Sequence, residues 1–235
     1  MKSVLITGAS RGLGRELLYL YQTAGWITLP LVRNQHDADT ILATAFAKYC
    51  HPIVGDICYQ EIESIITAKL GNDMALDLLI NNAGVPGRSY GLLDTCADEV
   101  AELFSVHTLG TLRVCRAALP ALLKSGAGRI VNISSRLGSI EKSARGEFSN
   151  QGFSYSYRIA KAAQNMLSAC MAEELIPQGI GVSVIHPGRF HGGAAASDAT
   201  MSARQAALRI QRWIDATQGE VSIEYVEPEV GVFQW

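Results

Sequence analysis

The sequence has no Cys-x-x-Cys pair, and its five cysteines (Cys50, Cys58, Cys96, Cys115 and Cys170) are odd in number. Neither a zinc site nor a disulfide framework fits that pattern; reduced, mostly buried thiols in a cytoplasmic protein do. No apolar run approaches membrane-spanning length, and the chain enters a strand by residue 4, which leaves no room for a signal peptide. Charge is scarce too. The formal net charge of -2 gives no electrostatic reason to expect nucleic acid or an anionic membrane as partner. There are no internal repeats, no linker-like composition and no domain boundary. A hydrophobic content of 48% over 235 residues supplies a core and argues against disorder. We therefore expect one domain over residues 1–235, with a small molecule as its partner.

The most informative stretch is the opening one. Val4 to Ile6 is a short apolar run that reads as a buried strand, followed by Gly8, Gly12 and Gly14 and then the helical pattern Leu13, Leu17, Leu18, Leu20, Tyr21. Strand, glycine-rich turn and helix let backbone amides approach a pyrophosphate at a helix N-terminus. The spacing is Gly-x-x-x-Gly-x-Gly, not the commoner Gly-x-Gly-x-x-Gly, and a glycine-rich turn without a ligand is the alternative.

Strands then alternate with helices. Trp26 to Val32 reads as a second strand, with Pro30 better suited to an end or an edge. Val32-Arg33-Asn34 closes it without the carboxylate that would bond the ribose 2′-hydroxyl of NAD. Arg33, with Arg11 in the glycine turn, instead suits the 2′-phosphate of NADP; two solvated surface arginines are the alternative. Ala38 to Tyr49 reads as helix, and Pro52 to Val54 as a short strand ending in Gly55-Asp56-Ile57, where Asp56 either caps the next helix or meets an adenine.

Leu76 to Ile80 is a strand covered on both faces, ending in Asn81-Asn82-Ala83-Gly84, which suits either a backbone close to a cofactor or an ordinary polar turn. Glu99 to Lys124 is a long helix that Pro120 is expected to bend or end. Gly128 to Ser134 is a strand followed by Ser135, and Glu141 to Gly152 reads as a polar loop. A second long helix runs from about 153 to 176, then a strand at Gly181 to Ile185 stopped by His186-Pro187-Gly188, a small-residue loop at 189–200, a helix from Ser202 to Ala216 and an edge strand from Val221 to Val226. This alternation implies a Rossmann-type, doubly wound parallel sheet of about seven strands with helices on both faces. In such a sheet ligands bind beyond the carboxyl ends of the strands, where Gly8–Gly14, Asn81–Gly84, Ser134-Ser135 and Pro187-Gly188 fall. Tyr157 and Lys161, four apart on a helix, share a face.

With these residues in place, the chain resembles the short-chain dehydrogenase/reductase family over nearly its whole length. Thr7-Gly8-Ala9-Ser10-Arg11-Gly12-Leu13-Gly14, Asn81-Asn82-Ala83-Gly84, Ser135, Tyr157 with Lys161, and Pro187-Gly188 match its motifs in order. Arg136–Ile140 and Tyr157–Met166 look most like the branch holding the sniffer-type carbonyl reductases and the C-factor-like bacterial proteins. The resemblance implies an NADPH-dependent carbonyl reductase. Tyr157 would donate the proton, Ser135 polarise the carbonyl, and Lys161 lower the tyrosine pKa and hold the nicotinamide ribose. NADP(H) would contact Gly8, Ser10, Arg11, Gly12, Leu13, Gly14, Arg33, Asp56, Ile57, Asn82, Ala83, Gly84, Tyr157, Lys161, Pro187 and Gly188. Homodimers or homotetramers would pack through the helices at about 99–124 and 153–176.

Three departures stand out. His107 occupies the place of a family asparagine that helps relay protons to the lysine; a buried, hydrogen-bonded histidine without that duty is the alternative. Ser135 and Tyr157 are further apart than is common in the family. Gly192 replaces an expected threonine, which puts cofactor contacts at that edge in doubt and suggests that Gly192–Ala196 moves until cofactor binds. A dinucleotide-sensing protein on the same fold, with little or no turnover, is the competing reading.

Overall fold

The structure is a computed structural model that describes every residue except Ala45, Val221 and residues 192–198. Its elements follow the chain as β1 (Ser3–Thr7), α1 (Gly12–Thr23), β2 (Ile27–Val32), α2 (Gln35–Leu42), β3 (Ile53–Val54), α3 (Glu61–Leu70) and β4 (Leu78–Asn81). Next come α4 (Ala97–Phe104), a π-helical turn (Ser105–Gly110), α5 (Thr111–Ser125), β5 (Arg129–Ile133), α6 (Ile140–Ala144) and α7 (Tyr155–Leu175). The last are β6 (Gly181–Ile185), β7 (Phe190–His191), β8 (Met201–Ser202), α8 (Ala203–Ala216), β9 (Ile223–Glu227) and β10 (Gly231–Val232).

Strand side chains alternate between two cores, as the two-residue period of a strand requires. Val4, Ile6, Leu78, Ile80, Val131 and Ile133 point to one face, where α1 contributes Leu13, Leu17 and Tyr21 and α8 contributes Ala206 and Ile210. Leu5, Leu79 and Ile130 point to the other, against Ile62 and Ile66 of α3, Val114 and Leu122 of α5, and Met171 of α7. Each such aliphatic side chain, once fully buried, contributes roughly 1.5–3 kcal/mol, so both faces must stay covered. The main sheet has eight strands in the order β10-β9-β6-β5-β4-β1-β2-β3, parallel except for β10, with β7 and β8 in a separate pair. The strand order reverses between β1 and β4, which opens a crevice at their carboxyl ends.

The Rossmann-type architecture agrees with the sequence reading; several details differ. The sheet has eight strands rather than about seven, because Gly231–Val232 pairs antiparallel with β9 and takes the edge from it. Pro30 lies inside β2, not at its end. The carbonyls of Thr28 and Val32 accept from His51 and Gly55, so Pro30 faces the same side, towards the two-residue β3, where the ladder does without its N–H. The helix read over Ala38 to Tyr49 breaks after Leu42, and Pro120 sits within α5 without ending it. Part of the stretch read as a polar loop, Glu141 to Gly152, is helical in α6. The loop read at 189–200 has paired ends, whereas Gly192 to Ala196 lie outside the described residues.

Candidate active site

Four strand ends and two helices converge at the crevice. The glycine turn after β1 is tied to the end of β2, with the amides of Gly8 and Ala9 donating to the Leu31 carbonyl at 3.0 and 3.4 Å. That bond sets the exposed Arg11 and Arg33 on neighbouring strand ends, and neither forms an ion pair among the described residues. A Cβ on Gly14 would stand 2.2 Å from the Gly8 carbonyl oxygen, and one on Gly8 would stand 2.9 Å from Ala83 Cα. Gly12, at φ +55°, has open space where its Cβ would be, so the turn leaves the start of α1 uncovered. That open, amide-lined approach at a helix N-terminus fits the pyrophosphate of a dinucleotide.

Asn82 does something the sequence did not announce. Its side-chain amide donates to the carbonyls of Thr7 (3.0 Å) and Gly8 (3.2 Å), while the Asn82 and Ala83 amides both donate to Thr7 Oγ1 at 3.0 Å. Thr7 and Asn82 therefore lock the ends of β1 and β4 together. Asp56 accepts from the Cys58 amide at 2.9 Å, a local turn bond that does not cap α3, whose N-cap is Gln60, and Ile57 buries its side chain against Gly110. Pro187 and Gly188 follow β6 and are both buried, with Gly188 at φ +82°.

Ser135, Tyr157 and Lys161 are brought together. The Ser135 side chain lies close enough to the Tyr157 hydroxyl to act on its ionisation, and Lys161 Nζ lies 5.8 Å from the centre of the tyrosine ring. Lys161 is 4% exposed and donates to the Ile133 carbonyl at 2.8 Å and to Gln164 Oε1 at 2.9 Å. Burial pushes the ammonium down to about 7. Burial also pushes the Tyr157 phenol up to about 12, with the nearby Ser135 side chain pulling the other way. In the protein alone, desolvation thus outweighs the lowering of the phenol that was expected from Lys161.

His107 faces this pair edge-on, 5.4 Å from the tyrosine ring. It arrives there through the π-helical turn, which directs His107, Thr108 and Thr111 towards α7: Thr108 Oγ1 donates to the Ala160 carbonyl and Gln164 donates to Thr111. Nε2 lies 2.9 Å from the Val85 carbonyl and 3.4 Å from the Val85 amide; the shorter contact, to a group that can only accept, assigns the proton to Nε2 and leaves Nδ1 a buried acceptor with no hydrogen-bond partner among the described residues. Burial and the charge of Lys161 push the imidazole down to about 3, so it is neutral. Gly84 is required beside it, since a Cβ there would stand 2.6 Å from His107 Cε1.

The sequence reading missed Thr7, Gln164 and Tyr225. Gln164 carried one signal, its place three residues beyond Lys161 on the same helix. Tyr225, on β9, donates its buried hydroxyl to the Ser135 carbonyl, and nothing in the sequence links the two.

The model of the short chain dehydrogenase family matches residues 2–203. The C-signal protein of Myxococcus xanthus is 33% identical over 160 residues, which are 68% of this chain and 93% of that protein. A short-chain dehydrogenase/reductase from Burkholderia multivorans with bound NADP superimposes with a TM-score of 0.87 at 23% identity, covering 100% of this chain and 99% of that one. The carbonyl reductase Sniffer of D. melanogaster superimposes with a TM-score of 0.85 at 24% identity, covering 100% of both. No helix among the described residues is long and apolar enough to cross a membrane, and these residues hold no cluster of His, Cys, Asp or Glu fit for a metal. On the extent of the family match and the similarity to C-signal, the chain belongs to the short-chain dehydrogenase/reductase family of oxidoreductases.

Proposed function

We propose that this protein, acting as one domain, uses NADPH to reduce a ketone or aldehyde to an alcohol. The observation that carries the reading is the convergence of Ser135, Tyr157 and Lys161 at the same strand ends as the glycine turn. When bound, the nicotinamide supplies the hydride. Tyr157 gives its phenolic proton to the carbonyl oxygen while Ser135 donates a hydrogen bond to that oxygen as charge develops on it. A phenol at about 12 is a reluctant donor. The Lys161 ammonium beside it favours the phenolate, and cofactor and substrate complete the setting in which that charge acts. The orphaned Nδ1 of the neutral His107 takes part as a hydrogen-bond acceptor beside the Tyr157–Lys161 pair, without itself taking up a proton.

For the cofactor, the amides of Ser10, Gly12, Leu13 and Gly14 would face the pyrophosphate, Gly8, whose amide is held by Leu31, would shape the turn beneath it, and Arg11 and Arg33 would meet the 2′-phosphate. Asp56 and the backbone of Ile57 border the adenine. Ala83, Gly84, Pro187 and Gly188 border the nicotinamide half, and Asn82 acts by fixing the turn. The NADP held by the Burkholderia protein and the carbonyl reductase activity in the Sniffer name support this reading. Leu123 of α5 and Tyr155, Ile159 and Met166 of α7 are exposed, which suits packing into a homodimer or homotetramer through these helices.

The test is NADPH oxidation with a panel of ketones and aldehydes. Tyr157→Phe is expected to lower kcat on the order of 10²–10⁴-fold and to leave NADPH binding in place. NADPH binding without turnover in either protein would overturn the reading in favour of a sensor.

A further inference from the structure

The two residues assigned to hold the carbonyl are each followed directly by an arginine, Arg136 after Ser135 and Arg158 after Tyr157. Both guanidiniums rest on the same buried ring, that of Phe148, at 5.8 and 5.6 Å from its centre. Arg136 also lies 5.6 Å from the centre of Phe153, which meets Phe148 edge-on. Both arginines are half-buried, and neither forms an ion pair among the described residues. Of the acids in this region, Glu141 pairs with Arg145 and Glu147 with Lys142, while Glu227 lies 3.9 Å from His186, which burial keeps neutral.

Arg136 is also close enough to His186 and Glu227 for its charge to bear on both. His186 precedes Pro187-Gly188, and Glu227 Oε1 lies 3.2 Å from where a Gly188 Cβ would be. Arg136 therefore rests on the aromatic pair one residue from Ser135, with its charge felt by His186 and Glu227. Two like charges on one ring in a half-buried place repel each other, and an anion between or beside them removes that penalty. A guanidinium flattened on aromatic rings has its fork of donors already fixed, which matches the two oxygens of a carboxylate.

Resting on the reductase reading, we propose that the substrate is a carbonyl compound bearing a carboxylate, which Arg136 grips at the mouth of the crevice with Arg158 adding its charge. The class is a keto acid or an aldehyde acid, reduced at the carbonyl with the carboxylate left unchanged.

The experiment is calorimetric titration of the NADP+-loaded protein, which has no hydride to give, with 4-oxopentanoate and 5-oxohexanoate, each against its own methyl ester. The acids are expected to bind roughly tenfold tighter or more than the esters, as loss of a charge-assisted hydrogen bond implies. Arg136→Met keeps an unbranched stem on the rings and is expected to bring the acid-to-ester ratio to about one. Arg136→Lys keeps the charge without the fork and is expected to fall between. Equal affinities in the unmodified protein, binding of neither acid, or a ratio unmoved by Arg136→Met with the fold intact by circular dichroism would overturn the proposal. NADPH oxidation by the same compounds, followed in separate mixtures, scores the reductase reading: acid-selective binding without oxidation supports the carboxylate site and sinks that reading.

Discussion

Lys161 is the residue on which the chemistry and the stability of the site meet. Its ammonium is buried, held by one carbonyl and one amide oxygen, and pushed down to about 7. An unfolded chain returns it to about 10.4. Between those values the unfolded state binds more protons than the folded one, so this group makes stability rise with pH from about 7 towards 10. Chemical unfolding of the unmodified protein and of Lys161→Met between pH 7 and 9.5 is expected to show the unmodified protein gaining on the variant as pH increases; parallel curves would contradict it. Ser135, Tyr157 and Lys161 were legible in the sequence because a strand end and a helical spacing of four place them. The partners of Lys161 and the grip of Asn82 on Thr7 and Gly8 were not. Those bonds join residues whose proximity only the assembled sheet creates, and an amide or hydroxyl has no periodic signature.

At the level of elements, hydrophobic period and glycine spacing were enough to place β1, α1, β4, β5, α7 and β6 close to where they lie. What escaped was set by tertiary contact. The π-helical turn at Ser105–Gly110 has no sequence mark, yet it turns His107 towards Tyr157 and packs Gly110 on Ile57. Pro120 was read as bending or ending its helix; it does not end it, since α5 continues to Ser125 under the cover of the sheet. β10 is too short to announce itself and exists through its pairing with β9. The glycine turn gives the sharpest test at this scale. A Cβ at Gly14 meets the backbone of Gly8 and the Asn82 amide, at 2.2 and 2.5 Å, and neither is a flexible tip. Gly14→Ala is expected to lower unfolding stability by roughly 1–3 kcal/mol or more, the usual cost of overpacking, and to weaken NADPH binding. Unchanged thermal denaturation would show that β1 and β4 are not locked as described.

For the whole molecule, the reversal of strand order between β1 and β4 decides where everything else goes. It gathers the glycine turn, Asn82 to Gly84, Ser135 and Gly188 at one edge of the sheet, and α4–α7 bring Tyr157, Lys161 and His107 to the same edge. Cofactor preference belongs to this scale because it depends on two neighbouring strand ends. Arg33→Asp is expected to weaken NADPH binding roughly tenfold or more while leaving NADH binding much less affected. Equal losses for both, measured by fluorescence titration, would remove the 2′-phosphate from Arg33. The account as a whole depends on the nicotinamide lying in the crevice against the serine, the phenol and the ammonium. A crystal structure with NADPH measures that directly. We predict nicotinamide C4 facing the Tyr157 hydroxyl and Ser135 with room for a carbonyl about 3–3.5 Å from C4, and Lys161 Nζ on the ribose; a nicotinamide ring seated elsewhere, or turned away from Tyr157, would contradict it.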